Sequence, residues 1–449
     1  MKEQKLEVSH LASLATKNTF INPQELKDHH LKRGLRNSDG TGVLVGATKI
    51  ASVEGYKKVD HQPIPTKGKL NYRGISVEEL VRGYQNEHRF GYEEIIYLLL
   101  FGSLPNKNEL TQFKEMLNER MALPSFFAED VILKNPSKNI MNTMQRAILA
   151  LYTYDKKAEN LSLVNQVNQI LNIIGKMPLI LAYSFMNQEY YYNNKSLVLH
   201  SPKTGLSIAE NILHLIRPDN HYTELEAEIL DLALILHAEH GGGNNSTFAI
   251  HVVSSTGTDV YSAISTAIGS LKGAKHGGAN ACVEGMVTDL KENTVNWQDD
   301  NEIRDYLNLI LDKKAYDRKG LVYGMGHAVY TLSDPRSVLL KEKAYELAKI
   351  KGWEAEFNLL DSIERQTKEL LSERKGKEAA ICSNVDLYSG LVYKMLGIDE
   401  SLFTPLFALS RVAGWSAHRL EQIQDEKIIR PAYLNLVNNI KYQSLDERK

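Results

Sequence analysis

The stretch that decides the fold runs from His237-Ala-Glu-His-Gly-Gly-Gly243 to Lys275-His-Gly-Gly-Ala-Asn280, with a helical pattern between its two ends. A related pattern follows at Gly324-Met-Gly-His327 and continues to Ser333-Asp-Pro-Arg336. In both pieces a histidine stands where a predicted helix gives way to glycine, so an imidazole and accessible backbone amides share one surface. This arrangement predicts a binding or catalytic site.

Between these ends, Val260, Ile264, Ile268 and Leu271 recur at spacings of four, four and three residues, which predicts one buried helical face. Most of the chain has the same texture. Capping boxes are predicted at Ser76–Glu79 and Thr223–Glu226. Further helices are predicted at 92–100, 142–154, 161–182, 207–216, 362–372, 388–396 and 403–423.

Two segments depart from the helical texture. Residues 42–74 are rich in β-branched residues punctuated by proline and glycine, which predicts a small hairpin. Residues 187–205 are polar and rich in tyrosine, which predicts a loop. The predicted fold class is therefore all-α, with a small β-hairpin near the N-terminus.

Composition excludes several classes of protein. A formal charge of −2 over 449 residues gives no strong field that would favour nucleic acid or an anionic membrane. The two cysteines, Cys282 and Cys382, are far apart, so neither a disulfide framework nor a cysteine zinc site is expected. The apolar run 171–183 is interrupted by Lys176 and is short for a membrane span. We expect a soluble, cytoplasmic protein.

The histidines allow several interpretations. His237 and His240 share one helical face and could form half a metal site, cap the helix end, or line a polar ligand site; we favour the ligand site. His276 precedes a predicted helix, whose dipole disfavours an imidazolium. A neutral His276 could donate a hydrogen bond to a carbonyl that is becoming an enolate. Gly324-Met-Gly326 matches neither a dinucleotide fingerprint nor a P-loop.

Three arginines and one aspartate complete the candidate set. Arg336 stands at the second position of a predicted helix, where a cation is favoured only if an anion binds beside it. Arg411 interrupts an apolar stretch, and Arg430 precedes a proline. Such arginines suit a small dicarboxylate. Asp386 precedes a predicted helix and reads most simply as an N-cap.

Taken together, these motifs resemble those of the citrate synthase family over roughly residues 40–435. Six of them occur in the family's order, which makes the resemblance specific. They are His237–His240 with Asn245-Ser-Thr-Phe248, Lys272–Asn280, Gly324–Tyr330 with Asp334-Pro-Arg336, Asn384-Val-Asp386, Ser410-Arg411, and Arg430-Pro431. Gly68–Gly74 also resembles the family's early segment.

The resemblance implies a Claisen condensation of acetyl-CoA with oxaloacetate, followed by hydrolysis to citrate and CoA. It implies that Asp386 removes a proton from the acetyl methyl group and that His276 donates to the thioester oxygen. His327 would polarise the oxaloacetate carbonyl. The remaining oxaloacetate ligands would be His240, Arg336, Arg411 and Arg430, one arginine coming from a second subunit.

The resemblance further implies a homodimer, two helical domains and no metal. The large domain would comprise 1–278 and 385–449, and the small domain 279–384. The predicted CoA contacts are Lys272, Lys275, Val322 and Gly324. Many family members carry a basic residue shortly after the histidine matching His327, whereas this chain has Ala328 and Thr331 nearby.

Three alternatives stay open at this point. A 2-methylcitrate synthase, which uses propionyl-CoA, would share all these motifs, since one methylene is worth only about 1–3 kcal/mol in a pocket. A non-catalytic relative that binds a dicarboxylate would also keep most of them. A metal-dependent hydrolase would lose its activity to a chelator.

Overall fold

The computed structural model describes residues 7–37, 39–59, 62–376, 379–425, 427–437 and 440–448. Its contacts divide the chain into two compact units, Met1–Ala47 and Thr48–Lys449. The first unit contains two helices, α1 (Val8–Thr19) and α2 (Pro23–Asp28). Asn22 and Glu25 form a capping box at the start of α2, with Pro23 at the first helical position.

The second unit begins with an antiparallel sheet of three strands, β1 (Ala51–Val59), β2 (Gln62–Tyr72) and β3 (Ile75–Ser76). β1 and β2 pair from Ala51 opposite Tyr72 to Val59 opposite Gln62, with a register shift between Glu54 and Tyr56. The predicted hairpin is confirmed, and it occupies the later part of the predicted range.

The rest of the second unit is helical, which confirms the predicted fold class. The helices are α3 (Val77–Asn86), α4 (Tyr92–Phe101), α5 (Lys107–Glu119), α6 (Ile140–Ala150), α7 (Leu163–Asn193), α8 (Ile208–Ile216), α9 (Glu224–His237), α10 (Asn245–Ser254), α11 (Val260–Lys272), α12 (Ala279–Asn293), α13 (Asp300–Leu311), α14 (Pro335–Lys351), α15 (Glu354–Lys375), α16 (Asp386–Met395) and α17 (Phe403–Gln422).

Helix α17 lies at the centre of this unit and packs against α4, α7, α9, α10 and α11. Nearly all of its side chains are buried, including Trp415 and two arginines, Arg411 and Arg419. The predicted apolar face of α11 is also buried, from Val260 to Leu271. Helix α17 therefore connects α9 and α10, since both pack against it.

Helix α7 is longer than the sequence predicts and continues through Asn193. The predicted loop over 187–205 is therefore wrong for its first seven residues, because Asn187 and Glu189 face the core and keep the helix going. By length and composition α7 could span a membrane, but 83% of its most apolar window is buried inside the protein. This burial is that of a core helix and fits a soluble protein.

Helix starts follow the sequence signals, with two differences. Thr223 and Glu226 form the predicted capping box at α9. Ser76 caps α3 as predicted, but it bonds to Glu78 rather than to Glu79. Asp386 is not an N-cap: Val385 holds that position without a side-chain hydrogen bond, and Asp386 is the first residue of α16. Its carboxylate is thus available for another task.

The proposed small domain corresponds to helices α12–α15. These helices contact one another, and α14–α16 are joined through Glu364 of α15, which accepts hydrogen bonds from Lys341, Tyr388 and Ser383. The boundaries at 278/279 and 384/385 remain a prediction, since contacts place all of these helices within the unit Thr48–Lys449.

Candidate active site

A cavity of about 150 Å³ opens where α9, α16 and α17 meet. Its polar lining contains six of the seven residues predicted to act in catalysis or to bind oxaloacetate, namely His240, His276, His327, Arg336, Asp386 and Arg411. The remaining lining residues are His237, Asn244, Gly277, Asn280, Asn384, Val385, Ser389, Tyr393, Phe403, Thr404 and Phe407. Residues nearly 175 positions apart in the sequence are thereby brought to one site.

His237 is the last residue of α9 and lines the cavity. Its Nδ1 donates to the Ala233 carbonyl at 2.7 Å, and burial lowers the pKa of the ring to about 3. A neutral ring that donates from Nδ1 leaves the lone pair on Nε2. The lowered pKa does not fit the helix-cap interpretation, which needs an imidazolium, and the ligand-site interpretation of this pair stays a prediction.

His240 lies just beyond the helix end and faces the cavity. Burial, followed by the charges of Arg336 and His327, lowers its pKa well below the ordinary value, so the ring is neutral. Its Nε2 is buried and has no hydrogen-bond partner among the described residues. Gly241 makes the turn possible, since its φ is +81°. An unsatisfied nitrogen here is available to a ligand.

Arg411 of α17 reaches the same cavity and is fully buried. Its Nε donates to the His237 carbonyl at 2.6 Å, and the guanidinium lies 4.6 Å from the centre of the Phe407 ring. Nη1 and Nη2 have no hydrogen-bond partner in the described part of the chain. Burial lowers the Arg411 pKa to about 10, which leaves the group charged at neutral pH.

Arg336 differs from Arg411 because its charge is already compensated. Asp334, the N-cap of α14, binds its Nε at 3.1 Å and its Nη2 at 2.7 Å. Although burial alone would lower the Arg336 pKa, Asp334 raises it overall. The sequence predicts an anion beside this arginine, and in the structure the Asp334 carboxylate occupies that place. Arg336 lines the cavity while it is paired with Asp334.

The turn that carries His327 is built on glycine. Gly324 and Gly326 have φ of +81° and +90°, and a Cβ at Gly324 would lie 2.8 Å from the Leu387 side chain. The backbone N–H groups of Val329 and Tyr330 donate to His327 Nδ1 at 2.9 and 3.0 Å. In a neutral ring this leaves the proton on Nε2, which makes that nitrogen a donor.

Hydrogen bonds join the His327 turn to the start of α16. Asn384 donates from its backbone N–H to the Gly324 carbonyl and from Nδ2 to the Gly326 carbonyl, both at 2.9 Å. Asn384 Oδ1 accepts from the Asp386 backbone N–H at 3.0 Å. His327 and Asp386 are therefore held on one bonded unit.

Asp386 has the properties of a general base. Burial raises its pKa to about 6, and the charges of Arg336 and Arg411 limit that increase. Part of its side chain is accessible through the cavity. A carboxylate with a pKa near neutrality can accept a proton from a weak acid and later release it.

His276 faces Asp386 across the cavity lining and is neutral, as expected. The cause differs from the predicted helix dipole: burial, with a smaller effect of Arg411, lowers its pKa to about 4. Ser246 approaches Nε2 with its backbone N–H at 3.4 Å and its Oγ at 3.1 Å. Because the backbone N–H can only donate, Nε2 is an acceptor and the ring proton belongs on Nδ1.

Several predicted residues do not line this cavity. Arg430 is exposed, as are Lys272 at the end of α11 and Lys275 just before His276. Val322 and Gly324 are buried beside the His327 turn, outside the lining. Sequence reasoning also missed Asn244, Ser246 and the apolar wall of Phe403 and Phe407. Asn244 offered a signal, since asparagine before a helical pattern predicts an N-cap, and it does cap α10.

The chain is similar to known proteins over most of its length. The family model described as citrate synthase, C-terminal domain, matches residues 37–432. A citrate synthase of Haloferax volcanii is 34% identical over 425 residues, covering 93% of this chain and 99% of the relative. A 2-methylcitrate synthase 1 of Corynebacterium glutamicum is 30% identical over 415 residues, covering 90% and 95%.

Solved structures agree with the sequence relatives. The citrate synthase of Pyrobaculum aerophilum superimposes with a TM-score of 0.74 at 30% identity, covering 90% of this chain and 94% of that one. A ternary complex of carboxymethyl coenzyme A and oxaloacetate with the Thermoplasma acidophilum citrate synthase gives a TM-score of 0.73 at 28% identity, covering 90% and 97%.

Proposed function

The chain belongs to the citrate synthase family and is an enzyme of the acyltransferase type, and we propose that it condenses acetyl-CoA with oxaloacetate to give citrate and CoA. The observation that carries the proposal is the joint presence, in one cavity, of a carboxylate with a raised pKa and an unsatisfied buried guanidinium. The first is suited to proton abstraction and the second to binding a carboxylate.

Asp386 acts as the base in this proposal and removes a proton from the acetyl methyl group. The methyl of a thioester is a very weak acid, so the developing enolate oxygen needs a donor of its own. His276 supplies it, because its Nε2 faces Ser246 and its Nδ1 carries the proton. A preorganised donor of this kind commonly contributes about 3–4 kcal/mol to the transition state.

Oxaloacetate is held on the other side of the cavity. Arg411 offers two N–H groups in a planar fork to one carboxylate, and His240 offers a buried nitrogen. His327 donates from Nε2 to the ketone oxygen, which makes the carbonyl carbon more electrophilic. The enolate carbon then bonds to that carbon, and water later cleaves the thioester. No step in this scheme needs a metal.

Arg336 contributes to binding in a different way. Its guanidinium is already bonded to Asp334 through Nε and Nη2, so it offers a substrate its remaining Nη hydrogens and a partly neutralised charge. We propose that it binds the second carboxylate of oxaloacetate more weakly than Arg411 binds the first.

Arg430 completes the site from a second subunit in a proposed homodimer. It is exposed on an extended C-terminal segment, which also exposes large apolar side chains such as Tyr433, Val437 and Tyr442. An exposed apolar segment of this kind favours a protein interface. Mixing Arg430→Leu and Asp386→Ala subunits tests this, since hybrid dimers regain one intact site only if Arg430 acts across the interface.

CoA binding is proposed at the basic surface before α12. Lys272 and Lys275 are exposed and precede His276 along the chain, so their charges lie on the surface next to the site and are available to the phosphates of CoA. Val322 and Gly324 would shape the backbone beside His327 rather than contact phosphate. Lys272→Ala and Lys275→Ala should each raise the KM for acetyl-CoA and leave the KM for oxaloacetate unchanged.

Domain closure is proposed to exclude water until the carbon–carbon bond exists. The segment after His327 packs on the sheet: Thr66 and Gly68 donate from their backbone to Thr331 Oγ1 and Ser333 Oγ, at 3.2 and 3.1 Å. Oxaloacetate should favour these contacts and compact the protein in small-angle scattering. Identical scattering with and without oxaloacetate would contradict closure.

The decisive experiment measures CoA-thiol release with oxaloacetate for two acyl donors, acetyl-CoA and propionyl-CoA. A preference for propionyl-CoA would keep the mechanism and favour 2-methylcitrate synthase, as the Corynebacterium relative allows. Asp386→Ala should lower kcat by about 10²–10⁴-fold, whereas Asp219→Ala, which removes an exposed carboxylate, should not. No thiol release with either donor would leave a dicarboxylate-binding protein.

The pH dependence of kcat/KM tests the base directly. Asp386 must be ionised to accept a proton, and burial raises its pKa to about 6. Activity should therefore fall about tenfold for each pH unit below that value and stay flat just above it. A profile that is level down to pH 4 would exclude Asp386 as the base.

This function is proposed to operate in the cytoplasm, at the entry of the tricarboxylic acid cycle.

A further inference from the structure

A second histidine cluster lies behind the cavity and has no part in the proposed reaction. His251 of α10 and His418 of α17 face each other with Nε2 and Nδ1 3.0 Å apart. Glu421, one turn after His418, places its Oε2 3.9 Å from His418 Nδ1. All three ligand atoms lie within 4.8 Å of one another. We infer that this cluster binds a divalent cation of the zinc class.

The outer nitrogens of the two rings indicate that something positive sits between them. His251 Nδ1 bonds to Gln422 Oε1 at 2.8 Å, and His418 Nε2 bonds to Glu239 Oε1 at 2.9 Å. Both partners are oxygen acceptors, so each ring donates outward and turns a lone pair inward. Two lone pairs 3.0 Å apart repel unless a cation or an added proton lies between them.

The spacing fits a metal ion. Tetrahedral zinc with bonds of about 2.0–2.1 Å has ligand atoms about 3.3 Å apart. His418 Nδ1 lies 3.0 Å from His251 Nε2 and 3.9 Å from Glu421 Oε2, and all three atoms lie within 4.8 Å of one another, so a bound ion would draw the Glu421 carboxylate toward the two rings. Two imidazoles and one carboxylate form a ligand set typical of zinc, with the fourth position open. Glu421 Oε2 is a buried atom without a hydrogen-bond partner among the described residues.

The surroundings are those of a metal site rather than of an accidental contact. Glu239 orients His418 as a carboxylate commonly orients a metal-bound histidine. Glu421 Oε1 is fixed by the Lys49 backbone N–H at 2.7 Å, which leaves Oε2 for the ion. A Cβ at Gly242 would lie 3.7 Å from both His251 Nε2 and His418 Cε1, so the absence of a side chain there keeps the approach open.

This site is linked to the substrate cavity through Glu239. The same Glu239 oxygen accepts from His418 and from the Gly241 backbone N–H, the latter at 2.5 Å, directly after His240. A bound ion would therefore fix the turn that carries His240. The inference does not depend on the proposed reaction, since binding can be measured without substrate.

The test is titration of the chelator-treated full-length protein with Co²⁺, followed by its visible ligand-field absorption and by competition with Zn²⁺. We expect one equivalent to bind with a tetrahedral spectrum and to raise Tm. His251→Ala and Glu421→Gln should each weaken binding at least about tenfold.

His200→Ala is the matched control. His200 and His214 also have adjacent rings, 5.6 Å between centroids, but their Nε2 atoms bond to backbone carbonyls. This variant should bind like the natural chain. If no tetrahedral spectrum develops, or if His251→Ala and Glu421→Gln bind as tightly as His200→Ala, the inference is overturned and the pair shares a proton instead. Circular dichroism of each metal-free variant establishes that it is folded.

Discussion

Helix α17 carries two arginines, Arg411 and Arg419, that are equally buried but differ in how many hydrogen bonds the protein offers them. Arg419 is satisfied by the protein, since it donates to Gln166 Oε1, Ser254 Oγ and the Thr258 carbonyl at 2.9, 3.1 and 2.6 Å. Arg411 has one such bond, and its other two nitrogens, beside the cavity, find no partner among the residues that the structure describes. Burial lowers the pKa of both to about 10.

The comparison teaches that burial alone does not identify a ligand-binding arginine. A fully bonded guanidinium is part of the fold, because its removal leaves several buried acceptors without donors. A partly bonded one is costly in the empty protein and becomes satisfied only when an anion binds. Replacing Arg411 should therefore affect mainly substrate binding and catalysis, and replacing Arg419 should affect mainly the free energy of unfolding.

The largest expected effect concerns Arg411. Arg411→Leu should lower kcat/KM by about 10³-fold, which corresponds to about 4 kcal/mol, because it removes a desolvated partner of the substrate carboxylate. It should change the free energy of unfolding by no more than about 1 kcal/mol, since few protein contacts are lost. Steady-state kinetics and denaturant unfolding measure the two quantities; a large stability loss with little kinetic change would reverse the assignment.

Arg419→Leu is the matched variant and should show the opposite pattern. Three buried acceptors would lose their donor, so the free energy of unfolding should fall by about 2–4 kcal/mol. The KM for oxaloacetate of the folded enzyme should stay close to that of the natural chain. A rise in KM as large as that caused by Arg411→Leu would show that Arg419 also serves the site.

The smallest expected effect tests whether the ionised Asp386, like Arg411, lowers the stability of the folded protein without substrate. Its pKa is about 6 in the folded protein and ordinarily near 3.8, so the folded state holds its proton more tightly. Ionisation therefore destabilises the fold as pH rises through that interval. Asp386→Asn should stabilise the protein by about 1–3 kcal/mol above pH 6 and by almost nothing below pH 4. Unfolding curves at pH 4 and pH 7 measure this difference.

Much of this site was predictable because glycine, histidine and arginine are informative where they interrupt helical periodicity. The helical class, the hairpin and the buried face of α11 follow from hydrophobic spacing. The donor role proposed for His276 followed from its position before a helix, whereas the role proposed for Asp386 came only from the family resemblance, since an aspartate before a helix reads as a cap in isolation.

Other features were beyond sequence reasoning for a physical reason. The end of α7 depends on tertiary burial of Asn187 and Glu189, which overrides their polar character. Arg336 and Asp334 are only two positions apart, but the sequence does not show whether the arginine side chain turns toward the aspartate or toward a ligand. The His251–His418 cluster joins residues 167 positions apart, and neither histidine lies in a recognisable metal motif.

The hydrogen bonds between the His327 turn and the start of α16 have a consequence for how such an enzyme changes over generations. Asn384 donates hydrogen bonds to the Gly324 and Gly326 carbonyls and so joins the His327 turn to the segment that bears Asp386. A substitution in either segment should therefore displace both His327 and Asp386. A substitution in one of these segments should therefore lower activity unless a second substitution in the other segment compensates for it. The wall formed by Phe403 and Phe407 is held by ring packing instead, Phe403 on Tyr393 and Phe407 on His237 and Arg411. Adaptation to a bulkier acyl donor would therefore begin on α17 at Phe403 rather than at Phe407, whose ring packs on Arg411.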